Sequence, residues 1–129
     1  MKKLWRLTVK EEVPAAHALR NYNGKCENLH GHNFTVELVV EGSILDETVE
    51  YLIDFTILKQ VLKDITATLD HKVINDIPYF IQRNPTSENI AQYIYREAKQ
   101  RLAIYETVRV YSVTIAERSI QNACYMELE

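Results

Sequence analysis

Residues 26–41 read CENLHGHNFTVELVVE. From Phe34 onward, Phe34, Val36, Leu38 and Val40 alternate with Thr35, Glu37 and Glu41. A period of two is that of a strand with one buried face, so a strand is predicted over residues 33–41. Directly in front of it stand one thiol, Cys26, and two imidazoles, His30 and His32. Three readings are open at this point: a metal site, a nucleophile beside its base, or a polar strand entry without function.

Working outward, residues 4–13 (LWRLTVKEEV) set Trp5, Leu7 and Val9 against Arg6, Thr8 and Lys10, which predicts a second half-buried strand. After Gly42 the pattern changes period. Phe55, Leu58, Leu62, Ile65 and Leu69, with Val61 beside them, recur at helical spacing behind Asp54, a natural N-cap. NPTSENIA at residues 84–91 starts a further helix, with Pro85 and Thr86 ahead of Glu88, running to about Ala103. Residues 107–117 and 123–128 return to the Val, Ile, Thr and Tyr of strands. The order strand, strand, helix, helix, strand, strand predicts an α+β layer, an antiparallel four-stranded sheet with two helices on one face. Its exposed edges call for covering or pairing, which points to a homo-oligomer.

The bulk numbers narrow the function. A chain of 129 residues suits one domain spanning residues 1–129. A net charge of −3 argues against broad binding to nucleic acid or anionic lipid, which needs clustered Lys and Arg. No apolar run is long enough for a membrane span, and MKKLWRLTVK has no apolar stretch behind its lysines, so a cytoplasmic protein is expected. With only two cysteines, Cys26 is expected to be a free thiol.

The chain has four histidines. His30 and His32 lie two apart and share a face if the strand extends back to them. His17, in VPAAH just after the first strand, approaches the pair if the two strands pair antiparallel. Three imidazoles with an open fourth position describe a catalytic zinc site. Cys26 is either a fourth ligand or a thiol activated by nearby positive charge. In LDHKVIN, the pair Asp70 and His71 reads either as a histidine at a helix C-terminus, favoured by the helix dipole, or as a carboxylate orienting an imidazole for proton transfer. A cupin-like reading, with Glu37 as third ligand and His71 as fourth, fails on three counts. The glycines it requires are missing, helices occupy the middle of the chain, and Glu37 lies an odd number of residues from His32.

Taken together, AAH at 15–17, CENLHGHNF at 26–34, IDF at 53–55, LDHKVIN at 69–75, NPTSENIA at 84–91 and the strand-end Glu117 resemble the 6-pyruvoyltetrahydropterin synthase / 6-carboxytetrahydropterin synthase family. The resemblance implies the T-fold, with two helices inserted between strands 2 and 3, and assembly as trimers stacked into hexamers with interfacial active sites. It assigns Zn²⁺ to His17, His30 and His32, the catalytic cysteine to Cys26, and the catalytic Asp-His pair to Asp70 and His71. Glu117 becomes the carboxylate gripping the pterin, with Thr86 and Glu88 as further pterin contacts. The implied substrate is 7,8-dihydroneopterin triphosphate. Cys26 stands four residues before His30, the short spacing that resembles the carboxy branch, which serves queuosine synthesis. Departures are Val13 and Pro14 ahead of AAH, in place of an aromatic and a serine. Lys25, Lys72 and Arg83 lie near the motifs, and no phosphate contact is assigned among them.

Overall fold

The computed structural model describes residues 2–128. Four strands, β1 (Trp5–His17), β2 (His30–Gly42), β3 (Arg109–Arg118) and β4 (Gln121–Tyr125), form one antiparallel sheet in the order β1-β2-β3-β4. Helices α1 (Phe55–Thr66) and α2 (Ser87–Arg101) lie between β2 and β3 in the chain. Both pack on one face of the sheet, α1 against β1 and α2 against β3 and β4. This is the T-fold arrangement. Among the described residues no helix is long and apolar enough to cross a membrane.

The buried alternation of β2, Phe34, Val36, Leu38 and Val40, meets Val9 and Val13 of β1 and Val113 and Ile115 of β3 on the same face. Leu58, Leu62 and Ile65 of α1 and Ile90, Ile94 and Ala98 of α2 complete one contiguous apolar cluster. The helix starts follow the predicted caps. Asp54 accepts from the Thr56 amide at 2.8 Å and Thr86 from the Asn89 amide at 3.1 Å. The opposite sheet face is charged: Glu41 accepts from Arg6 at 3.0 Å and Arg109 at 2.8 Å, and Lys10 pairs with Glu37 at 3.4 Å. Glu37 therefore points away from the histidines, which disposes of the cupin-like reading.

Several boundaries differ from expectation. β1 runs to His17 rather than Val13, and β2 begins at His30 rather than Asn33. Pro14, Ala15, Ala16 and Gly31 carry no apolar/polar contrast, so the pairing that includes them leaves no periodic trace. α1 ends at Thr66, but the amides of Leu69 and Asp70 both bond to the Thr66 carbonyl. That turn keeps Leu69 on the buried side, where it mimics helical spacing. α2 stops at Arg101, before Ala103, and β3 starts at Arg109, after residue 107. β4 is shifted to 121–125 because its first two residues, Gln121 and Asn122, are exposed and carry no pattern.

The free edge of β1 is covered near its end, at Pro14 and Ala16. The Pro14 carbonyl accepts from the His71 amide at 2.7 Å, and the Ala16 amide donates to the Lys72 carbonyl at 2.9 Å. Ala16 and Val73 form a parallel bridge. This seam ties the segment carrying Asp70 and His71 to the strand carrying His17. Leu58 is fully buried between α1 and the sheet. Leu58→Ala should lower unfolding free energy by about 2–5 kcal/mol, read by urea denaturation.

Candidate metal centre

In the β1–β2 register His17 stands opposite His30 and Ala15 opposite His32. Opposed residues of an antiparallel pair share a face, as do positions two apart, so all three imidazoles reach the core face at the open end of the hairpin. Their ring centroids are 4.6 Å (His17–His30), 5.3 Å (His17–His32) and 4.9 Å (His30–His32) apart. One nitrogen from each ring lies within 4.8 Å of the others. Phe34 packs edge-on below His17 and His32, at 5.2 and 5.5 Å between centroids.

Hydrogen bonds fix which nitrogens face inward. His17 Nδ1 is 2.7 Å from the Pro85 carbonyl, and His30 Nδ1 is 2.7 Å from the Asn28 carbonyl. A carbonyl only accepts, so each Nδ1 carries the hydrogen and each Nε2 is left with a lone pair. His17 Nε2 is buried with no hydrogen-bond partner. An orphaned buried acceptor costs about 1–3 kcal/mol, and a metal ion removes that penalty. The donor set therefore fits a divalent metal held by His17, His30 and His32. Burial lowers the His17 pKa below the ordinary 6.5, the other two imidazoles lower it further, and the Pro85 hydrogen bond and Glu117 partly oppose them. A neutral imidazole is the form that binds metal.

Glu117 stands beside this cluster. Alternation along β3 puts it on the face of Val113 and Ile115, at a register irregularity between Ala116 and Arg118. Its carboxylate lies 3.7 Å from Nε2 of His17 and 3.7 Å from Nε2 of His32, and it accepts from Ser87 Oγ at 3.2 Å. In the sequence Ser87 carries no signal beyond its place in the helix start NPTSENIA.

The remaining expected residues lie elsewhere. Cys26 sits in a 3-10 turn, Lys25–Glu27, whose Cys26 carbonyl accepts from the Leu19 amide at 2.7 Å. Its thiol is a free, partly exposed group outside the three-imidazole cluster, so it is not a fourth ligand within this arrangement. Asp70 Oδ1 holds His71 Nδ1 at 2.8 Å, as expected of an orienting carboxylate. His71 adopts a left-handed backbone (φ 56°) and its side chain is 78% exposed. It lines, with His32, Gly31 and Lys72, an open cleft of about 570 Å³ beside the metal centre. Thr86 caps α2 by accepting from the Asn89 amide, which leaves its hydroxyl hydrogen to donate, and Glu88 is exposed on the first turn.

The family model described as 6-pyruvoyl tetrahydropterin synthase matches residues 6–128. The chain belongs to this family. It is 38% identical over 97 residues to the dihydroneopterin monophosphate aldolase of Pyrococcus furiosus, covering 75% of this chain and 77% of that protein. To the putative 6-carboxy-5,6,7,8-tetrahydropterin synthase of Archaeoglobus fulgidus it is 33% identical over 96 residues, covering 74% and 77%. Among solved structures, the 6-pyruvoyl tetrahydropterin synthase of Caenorhabditis elegans superimposes with a TM-score of 0.86 at 26% identity, covering 98% of this chain and 97% of that one. Three reaction names thus accompany one fold.

Two outcomes check the centre. His30→Ala with His32→Ala should abolish stoichiometric metal binding measured by elemental analysis, whereas Glu37→Ala should leave it intact. In the metal-free protein, the unfolded chain takes up a proton on His17 near pH 6.5 that the folded chain resists. Stability should therefore be full above pH 6.5 and fall as pH drops below 6.5, with a shallower slope in His17→Gln.

Proposed function

We propose that the protein is a zinc-dependent lyase that breaks the bond between the first and second side-chain carbons of a phosphorylated 7,8-dihydroneopterin. On the triphosphate, with one water consumed, it would form 6-carboxy-5,6,7,8-tetrahydropterin, triphosphate and acetaldehyde, the first side-chain carbon being oxidised to the carboxylate as the dihydropterin ring is reduced, the reaction used in queuosine biosynthesis. The observation that carries this reading is the buried, unpartnered Nε2 of His17 facing two further imidazoles with Glu117 alongside. Zinc at His17, His30 and His32 would supply Lewis acidity to the side-chain hydroxyls.

The protein groups then divide the work. Glu117, steadied by Ser87, accepts two parallel N–H bonds from the pterin's amino and ring nitrogens, and Thr86 and Glu88, either side of Ser87 in the chain, would add further pterin contacts. The Cys26 thiolate takes a proton from the side-chain carbon next to the ring. His71, held by Asp70, moves a proton to or from the departing fragment. Cys26 and His71 both stand partly or largely exposed outside the imidazole cluster, as groups completing a site across a subunit boundary would. A homotrimer or hexamer in the cytoplasm is the assembly this reading requires. Neither nucleic acid nor membrane takes part.

A second reading is aldol cleavage of dihydroneopterin monophosphate. It is favoured by the identity to the Pyrococcus furiosus aldolase and by the cleft beside His32, whose lining carries a single cation, Lys72. A monophosphate asks for fewer positive charges than a triphosphate. The same carbon–carbon bond breaks: the second side-chain hydroxyl loses its proton as that carbon becomes glycolaldehyde phosphate, and the first carbon gains a proton to leave a hydroxymethyl group.

Zinc-loaded protein given each phosphate separately without oxygen, with products read by mass spectrometry, tests both. The expected result is 6-carboxytetrahydropterin and acetaldehyde from the triphosphate. Hydroxymethyl-dihydropterin from the monophosphate alone selects the aldolase. A three-carbon pyruvoyl product contradicts carbon–carbon cleavage, and no turnover leaves a pterin-binding module. Cys26→Ala and His71→Ala should each lower kcat about 10²–10⁴-fold with zinc retained.

A further inference from the structure

β1 loses its strand partner at His17, the last residue paired with β2. Along its outer edge, however, hydrogen bonding continues at every second residue past the strand end. After Pro14 and Ala16, the Ala18 amide donates to Asn75 Oδ1 at 2.9 Å and the Ala18 carbonyl accepts from Asn75 Nδ2 at 2.8 Å. Two residues on, the Arg20 amide donates to Asn84 Oδ1 at 2.8 Å and the Arg20 carbonyl accepts from Asn84 Nδ2 at 2.9 Å. A carboxamide offers one acceptor and one donor side by side, as a peptide group does, so each asparagine stands in for one residue of a neighbouring strand. The Arg20 guanidinium gathers the same loop, donating to the Phe80 carbonyl at 2.9 Å and the Arg83 carbonyl at 3.0 Å.

The residue after Asn84 is Pro85, whose carbonyl accepts from His17 Nδ1. We propose that Asn84 and Asn75 are positioning residues of the metal centre: they lock the 75–85 loop to the end of β1 and thereby hold the Pro85 carbonyl that fixes the tautomer and aim of His17. The inference rests on the reading of His17, His30 and His32 as metal ligands. Outer partners of this kind orient a ligating imidazole, and their loss typically lowers metal affinity about 10–100-fold. Asn84→Asp keeps the shape and the acceptor but sets a carboxylate oxygen against the Arg20 carbonyl, where no hydrogen can be donated.

The test compares the unmutated chain with Asn84→Asp and Asn75→Asp by zinc competition against a chromophoric chelator, and by ¹⁵N long-range NMR of the metal-free histidines. Zinc affinity should fall about 10–100-fold in the variants. The His17 hydrogen, on Nδ1 in the unmutated chain, should become distributed over both nitrogens. A merely structural role would lower the melting temperature of the metal-free variants without moving the tautomer signals. Folded variants with unchanged affinity and an intact Nδ1–H signal overturn the proposal. So does an Nε2–H tautomer of His17 in the unmutated chain, a result independent of whether any variant folds. Arg20→Lys, which keeps the charge and loses the forked contact to the Phe80 and Arg83 carbonyls, should shift affinity in the same direction. Failure of the unmutated chain to bind zinc overturns the three-histidine reading and the clamp with it, whereas tight binding left unchanged in all variants overturns the clamp alone.

Discussion

The register of β1 against β2 is the constraint on which the rest depends. With His17 opposite His30, one face of the hairpin holds Val9, Val13, Phe34, Val36 and Leu38 toward the helices and all three imidazoles at its open end. A slip of β1 by one residue would turn Val9, Val13 and His17 to the charged face and away from their partners on β2. The apolar content of the core and the convergence of the metal donors are thus set by the same pairing. The core stabilises the arrangement, and the histidines use its last two rungs.

A metal site built this way carries a cost in the free protein. His17 is neutral, almost fully buried and unpaired at Nε2, and desolvation opposes charging it. The chain tolerates this because the surrounding shell is satisfied: Pro85 and Asn28 carbonyls occupy the outward nitrogens, Phe34 packs beneath, and Ser87 holds Glu117 at the rim. Metal binding to the folded chain would recover the lost partner and stabilise the fold by mass action. Glu117 lies next to these donors, 3.7 Å from Nε2 of His17 and of His32, and is not one of the three grouped ligand atoms.

The sequence made the fold class legible because both periods are long and clean: two along β1 and β2, 3.6 along α1 and α2. It also exposed the histidines, since odd-even spacing alone places His30 and His32 on one face with Phe34. What it hid has physical reasons. Strand residues without apolar contrast, such as Ala15, Ala16 and Gly31, pair by register and not by pattern. Asn75 and Asn84 act on backbone far away in the chain, and a carboxamide that replaces a strand residue leaves no periodic signal. Cys26, in the turn Lys25–Glu27, and His71, whose amide is held by the Pro14 carbonyl while its side chain stands in solvent, both lie outside the imidazole cluster, a placement that their distance along the chain does not convey.

The most direct test of the account is an anomalous-difference map at the zinc edge from crystals grown with zinc. One peak is predicted about 2.0–2.1 Å from Nε2 of His17 and Nε2 of His30, with the His32 imidazole as third protein ligand and Nδ1 of His17 still on the Pro85 carbonyl. Zinc bound through Cys26 or Glu37, or no peak among the three imidazoles at full zinc loading, would contradict it.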